Sequence, residues 1–173
     1  MSGNVQKKRL QIRAATEADL PALTAMTRAH NDYLDAIGGA DAAIGDGEAI
    51  ARAAMDRLHP MAFGPNPICT VLMAELEGEI AGYVNYYVGV YMDDAMPVLH
   101  VADFFVNEHQ RRHGVGRALM LEVRRVAQTL GATRVLWTLW RKHEAAIRFY
   151  HEIGAEADGE SLLMQWPVPK PPE

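Results

Sequence analysis

Alternating and helically spaced apolar residues divide the chain into a hairpin-rich front and a strand–helix–strand back. Leu10 to Ala14 reads as a short opening strand. Thr16 stands where a helix N-cap belongs, with Asp19 three residues on in a weak capping-box pattern. Leu20, Leu23, Met26 and Thr27 then recur at helical spacing. Gly38-Gly39 ends that helix or opens a loop, and a second helix is predicted from about Gly47 to Leu58. The segment HPMAFGPNP is a loop by its Pro and Gly content. Ile68 to Leu76 and Ile80 to Val90, joined by a short polar turn, predict an antiparallel hairpin. After the acidic loop MDDAM, Val98 to Val106 predicts a third strong strand.

The back half changes period. Val115, Leu119, Val123, Val126 and Leu130 follow at spacings of four, four, three and four, an amphipathic helix that Gly131 is placed to end. Arg134 to Leu139 predicts a strand, Glu144 to Ile153 a helix closed by Gly154, and Ser161 to Trp166 a last strand. The order gives an α/β fold with a mixed sheet. One domain over residues 1–173 is expected, with flexible tails at about 1–9 and 167–173.

Composition narrows the class. The chain is 49% hydrophobic and 23% charged, ordinary for a globular protein. No run approaches the roughly 18 apolar residues of a membrane helix, so no membrane partner is expected. The basic N-terminus lacks the apolar core of a secretory signal. The single Cys69, in an apolar run, reads as a buried thiol, and the whole fits a cytoplasmic location. The net charge of −5 hides an asymmetry. Residues 1–99 carry 13 acidic and 7 basic residues, whereas 111–148 carry 9 basic and 2 acidic. Solvated helix faces explain this equally as well as a polyanion site on the basic part and a cation site on the acidic part.

The basic segment contains RRHGVG at a strand-to-helix junction, residues Arg111 to Gly116, with Arg117 following. Orphan N–H groups and the dipole make a helix N-terminus attractive to anions. Gly114 and Gly116 would let a phosphate approach the backbone. The spacing is neither a P-loop, since Gly-Lys-Ser/Thr is missing, nor a dinucleotide fingerprint, since the third glycine is absent.

Arg111-Arg112-His113-Gly114-Val115-Gly116 matches the Arg/Gln-x-x-Gly-x-Gly/Ala signature of the GCN5-related N-acetyltransferase (GNAT) superfamily, which this chain resembles over much of its length. ADFFV lies upstream, where that family has its central strand, and HEAAIRFYHEIGA, from His143 to Ala155, resembles its second signature. The resemblance implies a GNAT-type mixed, mostly antiparallel central sheet flanked by helices and splayed at the central strands. It also implies acetyl-CoA as acyl-donor cosubstrate. The pyrophosphate then sits on the loop Arg111, Arg112, His113, Gly114, Val115, Gly116 and Arg117. The end of the central strand, Phe104, Phe105 and Val106, pairs with the pantetheine arm, and the Val106 N–H polarises the thioester carbonyl. Tyr150 is implied as general acid on the leaving thiolate; packing against the sheet is the alternative. His143 stands where the family often has an Asn on the cofactor, and either replaces that bond or caps the helix. Some relatives carry Glu-Asp in the central strand; here it is Ala102-Asp103, so Asp103 is the candidate base, with His100 and a water chain as rivals.

Where the family builds its acceptor site, this sequence offers Asn31, Asp32, Tyr33 and Asp35, then Tyr86, Tyr87, Tyr91, Asp93 and Asp94. Of these, Tyr33, Asp32, Tyr87 and Asp93 are the candidate substrate-binding residues. Carboxylates among aromatic rings suit a cationic amine, though they are equally a wet acidic surface. YYVGVYMDD…ADFFV also looks somewhat like the diamine and polyamine acetyltransferases. The leading expectation is an N-acetyltransferase acting on a small-molecule amine by direct attack. A protein N-terminal or lysine acetyltransferase and a non-catalytic acyl-CoA binder are the alternatives. No metal and no nucleic acid are expected, and a homodimer fits the family's habit.

Overall fold

The structure, a computed structural model, describes residues 9–38 and 46–166. It forms two compact units, Met1–Thr138 and Leu139–Glu173. The first holds a five-stranded open sheet in the order β1 (Leu10–Ala14), β2 (Thr70–Leu76), β3 (Glu79–Val90), β4 (Pro97–Val106) and β5 (Val135–Leu136). The first four strands pair antiparallel, and β5 joins β4 in parallel. Helices α1 (Leu20–Ala36), α2 (Gly47–Ala62) and α3 (Val115–Thr129) flank it. This is the mixed α/β class expected. Helix α2 runs past the Leu58 expected as its end, with Pro60 accommodated in its last turn. Among the described residues no helix is long and apolar enough to cross a membrane.

Strand alternation sends β2 and β3 side chains to two layers. Val71, Met73 and Tyr83 join Phe105 of β4 against Leu23 and Met26 of α1. On the opposite face, Val115, Leu119, Met120, Val123 and Ala127 form the buried stripe of α3. Thr16 and Asp19 do cap a helical start, but of a single 3-10 turn, Glu17–Asp19, that leads into α1. The Asp19 carboxylate accepts from the Thr16 N–H at 2.7 Å and from both terminal nitrogens of Arg13 at 2.7 Å; Glu75 takes the Arg13 Nε at 2.7 Å. Cys69 is only half-buried; its neighbouring Ile68 is exposed, because the strand begins at Thr70 and not at Ile68.

Strand β4 is irregular in one place. Tyr86 of β3 pairs with Val101, but Asn85 pairs with Asp103, so Ala102 is an extra residue, a β-bulge. In a straight strand His100, Ala102 and Phe104 would share a face. The bulge instead puts His100, Asp103 and Phe105 together on the α1 face, opposite Tyr87, Asn85 and Tyr83.

The strand expected over Arg134 to Leu139 shrinks to Val135–Leu136 and pairs only with Leu99 and His100. Beyond His100, β4 continues without β5 in register, the splay that the family resemblance implies. In the second unit, α4 (Glu144–Glu152) is the helix expected there; His143 stands at its N-cap position without a side-chain cap bond. The strand expected over Ser161 to Trp166 is not formed. Leu162, Leu163 and Met164 are apolar in succession, without the alternation of a half-buried strand, and Leu162, Met164 and Trp166 are at least four-fifths exposed. Gly39 and most of both expected tails lie outside the described residues; Arg9 is tied to Glu77 by a backbone bond of 2.9 Å and a side-chain bond of 2.8 Å.

Candidate active site

The site is built at the far end of β4. Asn107 N–H donates to Ala81 O of β3 at 2.9 Å. Backbone groups alternate along a strand, so the Val106 amide and carbonyl point to the other edge, the one β5 has already left. The Val106 carbonyl accepts from Arg111 Nε at 3.1 Å. Opposite Val106 stands Gly82, where an added Cβ would lie 2.5 Å from Phe105 O. Only glycine permits that close approach of β3 to the strand end.

The loop that follows is tightly wound. Glu108–Gln110 form a 3-10 turn, Arg112 has φ +67° and Gly114 φ +83°. A non-glycine residue in the left-handed region carries strain, of the kind found at ligand-binding turns. Gly114 is the N-cap of α3, and the first intrahelical bond runs from Ala118 N–H to Gly114 O at 3.0 Å. The amides of Val115 and Gly116 therefore precede the helical ladder. A Cβ on Gly114 would meet nothing within 4 Å, so the space before the helix is open. Arg112, His113 and Arg117 are exposed around it, while the Val115 side chain is buried, leaving only its backbone to face a ligand. Geometry, dipole and charge all suit an anion there.

Arg111 has a different place from its neighbours. Its guanidinium lies 4.5 Å from the Tyr33 ring centre and 5.9 Å from that of Phe105. With its bond to Val106 O, it clasps α1 to the strand end. Phe105 is itself buried in the α1 layer, so its side chain serves the core.

Next to this clasp runs a chain of polar groups across three elements. His30 Nδ1 of α1 lies 3.2 Å from Asp103 Oδ1 of β4. The Tyr83 hydroxyl of β3 donates to Asp103 Oδ2, and Thr27 of α1 hydrogen-bonds that hydroxyl. The Phe104 N–H donates to Asp103 Oδ1 at 2.9 Å. Burial pushes the Asp103 carboxyl up, but the bond and charge of His30, then Tyr83 and the Phe104 amide, outweigh it and hold it below the ordinary value. Burial, then the Asp103 charge, pushes the Tyr83 phenol well above its usual value, so it remains a neutral donor. Asn85, opposite Asp103, has a buried Oδ1 without a hydrogen-bond partner among the described residues.

The other expected residues fall elsewhere. Tyr87 stacks on His100 with ring centres 5.0 Å apart, on the same sheet face but at the β5-paired part of β4. Asp32 lines a cleft of about 420 Å³ between α1 and α2 with Arg28 and Glu48. Asp93 is in the exposed turn between β3 and β4, where Tyr91 lies under Arg134. Tyr86 turns to the other sheet face, toward Glu122 and Arg125 of α3, and is buried. In the second unit Tyr150 is buried, with its ring 5.1 Å from that of Phe149. Sequence reasoning passed over His30. The signal was its place, four residues after Met26 and three before Tyr33, on the inward stripe of α1.

Known proteins resemble this chain in sequence and in fold. The acetyltransferase (GNAT) family model matches residues 29–155. The L-ornithine N5-acetyltransferase of Arabidopsis thaliana is 32% identical over 84 residues, covering 49% of this chain and 37% of that protein. An integron cassette protein from the mobile metagenome of V. cholerae superposes with a TM-score of 0.75 at 19% identity, over 92% of this chain and 93% of its own. An aminoglycoside N-acetyltransferase in complex with CoA gives 0.68 at 13% identity, over 95% and 99%. One from an uncultured soil metagenomic sample, in complex with trehalose, gives 0.65 at 20% identity, over 92% and 97%. At these identities the structural likeness is one of fold.

Proposed function

Because the chain belongs to the GNAT acetyltransferase family, we propose that it transfers the acetyl group of acetyl-CoA to a primary amine of a small cationic molecule, by direct attack. The observation that carries this reading is the outward Val106 amide beside an open, glycine-capped helix N-terminus. Those groups fit two parts of an acyl-CoA, a polarisable carbonyl and a pyrophosphate. When bound, acetyl-CoA supplies an activated acyl group.

The chain's residues then divide the work. Arg112, His113, Gly114, Val115, Gly116 and Arg117 hold phosphate oxygens, by amides and by charge. Arg111 serves the same binding indirectly, fixing the Val106 carbonyl and so the direction of the Val106 N–H. That amide stabilises charge gathering on a carbonyl oxygen. Phe104 lends backbone to the same edge. The ammonium proton must leave first, because only a neutral amine is a nucleophile, and Asp103 belongs to the polar chain that serves that path. Tyr150, on its resemblance to the family's second signature, protonates the departing sulfur, and His143 stands at the N-cap position of the helix that carries it.

A cationic acceptor is supported by the half-buried Asp103 carboxylate in the first unit. The relatives named for ornithine and for aminoglycosides also act on amines that are cations at neutral pH. The test is thermal unfolding with and without acetyl-CoA, followed by thiol release across a panel of diamines, amino acids and aminoglycosides. Stabilisation with turnover of cationic amines is expected; no stabilisation by acetyl-CoA overturns the reading.

A further inference from the structure

The polar chain at Asp103 contains an imidazole that neither the family resemblance nor the comparisons assign. We propose that His30 is the base that takes the proton from the acceptor ammonium, and that Asp103 is a positioning residue acting through it. This rests on the amine-acetyltransferase reading above.

The geometry favours His30 over the carboxylate itself. Both Asp103 oxygens are already engaged, Oδ1 by His30 and the Phe104 amide and Oδ2 by Tyr83. With its value held low by those bonds, the carboxylate is a weak proton acceptor. An imidazole whose Nδ1 faces a carboxylate carries its neutral-state proton on Nδ1, an assignment made from the partner. The lone pair is then on Nε2. Asp103 fixes the tautomer and stabilises the imidazolium once it forms, a division of labour between carboxylate and imidazole familiar from hydrolases.

Ring packing restrains His30 as well. Its ring lies 5.2 Å from that of Phe105, and its side chain is 17% exposed, so it is held yet reachable. Among the described residues, four titratable or charged groups face this environment. They are Asp103 from β4, Tyr83 from β3, Tyr33 from α1 itself, and Arg111 from the loop, which packs on the Phe105 ring. His100 shares the sheet face further along β4, stacked on Tyr87.

The step balances. His30 Nε2 takes one proton from R–NH3+, giving the imidazolium and a neutral amine. The amine nitrogen bonds the acetyl carbon, the carbon–sulfur bond breaks, the nitrogen loses a second proton, and the sulfur gains one as thiol. His30 returns its proton to solvent.

Two measurements test this. Long-range proton–nitrogen spectra of the free protein should show neutral His30 protonated on Nδ1, and in Asp103→Ala that preference should be lost. Finding the wild-type ring protonated on Nε2 overturns the proposal whatever the activity. In kinetics, His30→Gln should lower kcat/KM for the amine by about 100-fold. It should also remove the acidic limb of the pH profile, while acetyl-CoA still stabilises the protein. His30→Ala should regain activity with added imidazole. An active wild type with an unchanged His30→Gln profile sinks this proposal alone; a wild type inactive on every amine, and not stabilised by acetyl-CoA, sinks the reading beneath it.

Discussion

Asp19 and Asp103 are both partly or fully withdrawn from water on the α1 side of the fold, and both are held below the ordinary carboxylate value, yet their partners differ. Asp19 is met by Arg13, which never gives up its charge, and by the Thr16 amide. Its side chain is 8% exposed and its pKa is lowered to about 2, chiefly by the Arg13 bond. Asp103 is met by an imidazole, a phenol and one amide, and its side chain is 38% exposed. The first set of partners is static and ties β1 and β2 to the start of α1. The second set includes an imidazole in place of a guanidinium, and it stays in reach of solvent. A carboxylate locked by a guanidinium ties strands to a helix; one shared with a histidine holds that ring in place.

The comparison is sharpened most by a variant that touches neither carboxylate. Gly114→Glu adds bulk and negative charge at a φ of +83° that only glycine adopts freely. Acetyl-CoA at about 100 times its dissociation constant should stabilise the parent by about 2.7 kcal/mol, and this variant by nothing measurable in a thermal shift. Both polar clusters should survive in it.

Asp19→Asn comes next, with an expected stability loss of about 2 kcal/mol in urea unfolding. The pH dependence has the same origin. The folded value lies below the unfolded one, so the contribution is complete above about pH 5 and is lost as pH falls toward 2. Asp19→Asn should therefore flatten the acid limb of the stability curve. If it leaves stability unchanged while reducing turnover, the contrast between the two carboxylates is broken. Tyr150→Phe should lower turnover about tenfold, or about 1.4 kcal/mol in the barrier, with acetyl-CoA stabilisation unchanged. Equal rates for variant and parent remove Tyr150 as the acid.

The elements most legible in the sequence were those whose faces are buried against a regular partner. β3, β4 and α3 lie within a residue or so of their expected bounds because alternation and helical spacing report burial. The glycine-bearing loop was legible because its chemistry is local. Less was visible where the outcome depends on a neighbour. The shortness of β5 follows from where β4 departs from it, and Leu162 to Trp166 shows that apolar residues alone make no strand. His30 was hidden for the same reason: on the inward stripe of a helix it looks like one more packing residue, and its meaning comes from a strand more than 70 positions away.

The bulge at Ala102 has a consequence for how this chain tolerates change in length. In most strands a one-residue insertion or deletion is among the most damaging lesions, since every side chain beyond it exchanges sheet faces. β4 already holds one surplus residue at Ala102, so excising that residue restores regular pairing and leaves His100, Asp103 and Phe105 facing as they do now. A deletion elsewhere in the strand, if the bulge closes to absorb it, would cost only the stretch between the two points. The strand therefore has one point of slack in its length, and it lies immediately before the carboxylate.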